Sequence, residues 1–126
     1  MNDEEFVRAF EDCTFSPFRH EDHVRLAWIY LRESALSEAM MRFRDSLKIY
    51  AASLGKLDKY HETITFGFIL LIHDRMKRGD MNGWGEFALA NPDLLDWKKS
   101  ILQTLYRRET LDSPLARRTF VMPDAN

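Results

Sequence analysis

The sequence predicts an all-α protein: a single-domain helical bundle of five to seven helices over residues 1–126, with a central apolar helix near residues 61–78. Three observations predict it. Apolar residues recur at three- and four-residue steps, most clearly at Met40, Phe43, Leu47, Tyr50, Ala51 and Leu54, opposite Glu38, Arg42, Asp45 and Lys48. Helix-start and helix-stop residues punctuate the chain at helical intervals. No Pro/Gly/Ser linker, low-complexity tract or 20- to 50-residue repeat divides the 126 residues, a length that suits one domain.

Taken in order, Asn2 caps a first helix, with Glu5 three residues on to complete a capping box and Phe6, Phe10 and Cys13 on one face. Ser16-Pro17 breaks the chain, and a second helix runs over about 20–34. Ser37 is the expected N-cap of a third helix, which Gly55 stops in the left-handed conformation. The run Ile64-Thr65-Phe66-Gly67-Phe68-Ile69-Leu70-Leu71-Ile72 has β-branched residues, yet its length and its cationic end at Arg75, Lys77, Arg78 and Gly79 favour a helix. Apolar nearly all round, it reads as the centre of the bundle. A loop over 79–85 leads to a short helix stopped by Asn91-Pro92. A further helix over about 94–107 turns Leu94, Trp97, Ile101, Leu102 and Leu105 inward. Ser113-Pro114 pairs an N-cap with an N1 proline, and the apolar tail from Phe120 to Pro123 straps back onto the body.

Composition narrows the function. Eighteen Lys+Arg against twenty Asp+Glu leave a formal charge of −2, which argues against a protein that coats nucleic acid or an anionic membrane. Six cations (Lys98, Lys99, Arg107, Arg108, Arg117 and Arg118) face three acids over residues 96–120, a local excess too plain to suggest a recognition pair. Cys13 is the only cysteine, which excludes an internal disulfide framework and CxxC metal sites. The acidic start lacks the order of a secretory signal, and no apolar run reaches the roughly 18 residues of a membrane span. The expectation is a cytoplasmic protein with no membrane partner, with a homo-oligomer left open. Nucleotide-loop, nucleophile-elbow and HExxH motifs are absent; His61-Glu62-Thr63-Ile64-Thr65 starts like a zincin but places threonine at the second ligand position.

Histidines form the one suggestive constellation. His20 and His23 share a helix face and continue the stripe of Val24, Ala27 and Leu31. His61 shares a face with Ile64, Thr65, Phe68 and Ile72. In an up-and-down bundle the second and fourth helices start at the same end, so these three imidazoles would converge in their first turns, with Glu62 beside them. Three readings follow. His20, His23 and His61 could hold a divalent metal such as zinc or iron, although helix N-termini are poor neighbours for a cation. Alternatively, a small enzyme or binding protein would hold an anionic organic ligand there, with His20, His61 and Glu62 as catalytic groups and His23, Trp28, Lys59 and Arg117 as binding groups. In the third reading the histidines are structural and the chain is a non-catalytic protein-interaction module, with Trp84 and the 79–85 loop as its exposed face. His73, late in the central helix, reads as a residue favourable to the helix dipole.

The segments Phe18-x-His20-x-x-His23-Val24, Lys59-Tyr60-His61-Glu62-Thr63 and Ser113-Pro114-x-Ala116-Arg117, with Phe120 and Pro123-Asp124, resemble a group of small bacterial all-helical proteins of unknown function. The resemblance runs from the second helix to the tail. It implies that the three segments belong together, which would set Arg117 beside the three histidines, and it brings no activity with it.

Overall fold

The computed structural model describes residues 1–79 and 82–125, and every regular element in them is helical. An all-α protein is what the sequence predicts. The chain divides into two compact units, Met1–Tyr60 and His61–Asn126.

The first unit holds α1 (Asp3–Glu11), α2 (His20–Glu33), α3 (Leu36–Ser53) and a 3₁₀ turn (Leu57–Lys59). The capping box at its start forms as read: Asn2 Oδ1 accepts from the Glu5 N–H at 2.8 Å, and the Glu5 carboxylate accepts from the Asn2 N–H at 3.2 Å. α1 ends sooner than the apolar spacing suggests. Cys13 lies beyond it with φ 60°, its N–H donating to the Phe10 carbonyl while the Thr14 N–H reaches back to Ala9. This pair of bonds is a Schellman stop in which cysteine occupies the left-handed position that usually falls to glycine. α3 stops by the same device with the expected residue: Gly55 has φ 68°, and its N–H and that of Lys56 bond to Ala52 and Ala51. The start of α3 differs from the prediction. Its N-cap is Ala35 and not Ser37, because α2 closes with the Ser34 N–H on the Tyr30 carbonyl and the chain turns at once into the next helix.

Aromatic packing holds this unit together. Phe10 of α1 stacks on Tyr50 of α3 with centroids 4.8 Å apart and meets Phe18 at 4.3 Å. The loop carrying Phe15 and Phe18 contains a cis Ser16-Pro17 bond. Tyr50 ties that loop down by donating its hydroxyl to the Phe15 carbonyl at 2.6 Å. Burying each such ring contributes about 1.5–3 kcal/mol. A second tie is polar: the buried Tyr30 hydroxyl donates to Glu11 at 2.7 Å, and Arg42 lies 4.1 Å above the Tyr30 ring while pairing with Glu11 and Glu33.

The second unit holds α4 (Glu62–Arg78), α5 (Trp84–Ala90), α6 (Pro92–Leu95), α7 (Leu102–Leu105), α8 (Arg108–Leu111) and α9 (Pro114–Arg118). α4 buries Thr63, Thr65, Gly67, Phe68, Ile69 and Ile72. Gly67 has a packing reason, since a Cβ there would stand 3.1 Å from the Leu102 side chain. The helix ends near Gly79 as read, but that glycine is extended at φ −106° and uses no left-handed turn. Of the loop expected over 79–85, Asp80 and Met81 lie outside the described residues. Trp84 is half-buried and stacks on Phe87, with centroids 6.1 Å apart.

The single helix expected over 94–107 is instead two short ones. Asp96 is extended and its carboxylate accepts from the Lys99 N–H, while the Ser100 hydroxyl accepts from the Leu102 N–H. These local bonds offer the backbone an alternative to the helical ladder. Leu94 and Leu102 are buried as predicted, but Trp97 falls on the interrupting turn and is 52% exposed. The Ser113 cap and Pro114 at N1 form as read. The tail does strap back within this unit: the Tyr106 hydroxyl donates to the Val121 carbonyl at 2.6 Å, and the Asp124 and Ala125 N–H groups donate to Leu105.

Candidate functional site

His61 is the N-cap of α4 and not a residue inside it, so it does not continue the helix face assigned to it from spacing. Its Nδ1 accepts from the Ile64 N–H at 3.1 Å. A nitrogen that accepts carries no proton, so the neutral ring bears its proton on Nε2, which donates to the Leu111 carbonyl at 2.7 Å. The residue is only 8% exposed. Burial lowers the imidazole pKa below its ordinary value; the bond to Leu111 opposes the shift, and the charge of Arg117 adds to it. With both nitrogens engaged, the ring has no lone pair to offer a metal ion and no nitrogen poised to take a substrate proton.

Around this histidine the sequence places a second joint that spacing did not reveal. Thr63, fully buried on α4, donates its hydroxyl to the Thr119 carbonyl at 2.8 Å and accepts from the Val121 N–H at 3.1 Å. The Thr65 hydroxyl returns to the His61 carbonyl at 2.8 Å. Farther along the tail, Asp124 accepts from the Arg107 N–H and the Thr110 hydroxyl, which holds its carboxyl below the usual range. Thr63 and Asp124 carry no periodicity or motif signal; a threonine in an apolar run is legible as polar but not as paired.

Glu62 is half-buried in the first turn of α4, and Arg117 is exposed on α9, near enough to act on His61. Lys59 is exposed in the 3₁₀ turn of the other unit. Trp28 is buried in α2 with the Arg32 guanidinium 4.9 Å above its ring.

His20 and His23 do face the same side of α2, with ring centroids 6.4 Å apart. Two imidazoles sharing a tetrahedral ion at about 2.0–2.1 Å per bond would bring their centroids to about 5 Å. The pair is therefore spread too widely to share an ion as it stands. His23 packs edge-on against Phe18 at 4.3 Å, and burial, followed by the charge of His20, pushes its pKa down to about 3. It is a neutral, half-buried ring at physiological pH. Among the described residues, no three His, Cys, Asp or Glu side chains are grouped so as to hold a metal. A shallow groove of about 280 Å³ in the first unit is lined by Glu4, Val7, Arg8, Glu11, Asp12, Glu33 and Arg42, with no histidine among them. Comparison with protein families, curated proteins and solved structures returns no match.

Proposed function

We propose that this chain is a non-catalytic protein-interaction module whose histidines serve the fold. The observation that carries the reading is the double engagement of His61, which spends one nitrogen on the start of α4 and the other on Leu111. A ligand or catalytic histidine needs a nitrogen that can reach its target, and freeing one here would uncap a helix. The core placement of Trp28 and the wide His20–His23 spacing support the same reading. On the second unit Leu89, 86% exposed, leaves a large apolar side chain in water as contact surface.

Thermal-shift measurements on the full chain in zinc, inorganic phosphate and acetate test this. The expected result is no saturable stabilisation by any of them. A rise in Tm with zinc or phosphate that disappears in His20→Ala would restore the ligand-pocket reading. In parallel, Leu89→Ser should leave stability within about 0.5 kcal/mol, as surface changes do.

A further inference from the structure

We infer that His61 is an acid-labile clasp: a proton on Nδ1 removes the acceptor that caps α4 and releases the C-terminal segment, residues 107–125, from that helix. The geometry dictates the sequence of events. At neutral pH, Nδ1 is the acceptor for the Ile64 N–H and Nε2–H is the donor to Leu111. A solvent proton added to Nδ1 makes both nitrogens donors, so two N–H groups face each other and the ring must turn away. The same rotation withdraws Nε2–H from Leu111, the last residue of α8.

The neighbouring joint transmits the loss. Thr63 lies two residues along α4 and holds Thr119 and Val121, so the tail is tied to the same first turn that His61 caps. The segment has its own internal ties, Asp124 to Arg107 and Thr110, and stays bonded to Leu105 and Tyr106, so it parts from α4 as one piece.

Charged groups around the ring act in both directions. Arg117 on α9 and the positive end of the α4 dipole oppose protonation, and Asp112 at the end of α8 favours it. Glu62 stands next to it in the first turn of α4. An unburied histidine titrates near 6.5, so burial and Arg117 move the release to a more acidic pH. Asp93 and Asp124 sit below the ordinary carboxylate range, so neither titrates between pH 5 and pH 7.

Hydrogen exchange of the full-length chain between pH 7 and pH 5, corrected for the intrinsic exchange rate, tests the clasp. Protection of residues 107–125 and of the first turn of α4 should fall about tenfold more in the unaltered protein than in His61→Asn. His61→Asn keeps a side-chain oxygen able to cap α4 but cannot be protonated, so it should flatten that pH dependence; His23 is common to both proteins and cancels. An equal fall in His61→Asn overturns the proposal, as does protection of 107–125 that is independent of pH. So does a ring-nitrogen spectrum of the unaltered protein at pH 7 with the proton on Nδ1, a readout that needs no variant to fold.

Discussion

At the scale of single residues, the second unit depends on two side chains that each make two bonds. His61 caps α4 and holds Leu111; Thr63 accepts from Val121 and donates to Thr119. Thr63 is the cleaner test because valine has almost its shape. Thr63→Val leaves a carbonyl and an N–H without their partner, and denaturant unfolding should show a loss of about 1–3 kcal/mol. A loss under 0.5 kcal/mol would mean that water replaces the hydroxyl without penalty. Histidines at helix starts were legible in the sequence, and their i, i+3 spacing does set His20 and His23 on one side of α2. Their employment was not. Whether an imidazole points at a ligand or at a backbone carbonyl fifty residues away depends on where α8 ends, and no local pattern encodes that.

Among the elements, the strongest sequence signals were terminal. The Asn2–Glu5 box, Gly55, and Ser113-Pro114 all act as read, because caps are local chemistry between residues a few positions apart. The same locality explains the failure over 94–107. The apolar spacing of Leu94, Ile101 and Leu102 fits a helix, but Asp96 and Ser100 bond to nearby N–H groups and break it, turning Trp97 out. α1 and α3 of the first unit allow a paired experiment, since both end in one motif with different residues at the left-handed position. Cys13→Gly should stabilise by up to about 1 kcal/mol by relieving the Cβ strain, and Gly55→Ala should destabilise by about 1 kcal/mol by introducing it. Opposite signs in chemical denaturation are the expected outcome; equal signs would locate the effect in the unfolded chain instead.

For the whole molecule, the histidines set how stability responds to acid. His23 has a folded pKa of about 3 and His61 one lowered from 6.5, both below their unfolded values. The unfolded chain therefore binds more protons as pH drops below about 6.5, and stability falls from there through the folded pKa values. Tm should thus be lower at about pH 4.5 than at about pH 7, and His23→Phe should recover part of the difference. A Tm that stays level across that interval would remove burial as the cause of both shifts. No described helix is long and apolar enough to cross a membrane, in keeping with the lack of a spanning segment in the sequence.

The central claim is that imidazoles here hold the fold in place of a ligand, and ring-nitrogen NMR of the full chain with and without one equivalent of zinc tests it most directly. The account predicts a His61 proton on Nε2, a donating Ile64 amide, and signals of His20, His23 and His61 that zinc leaves in place. Zinc-induced movement of all three rings together, with loss of the Ile64 bond, would contradict it.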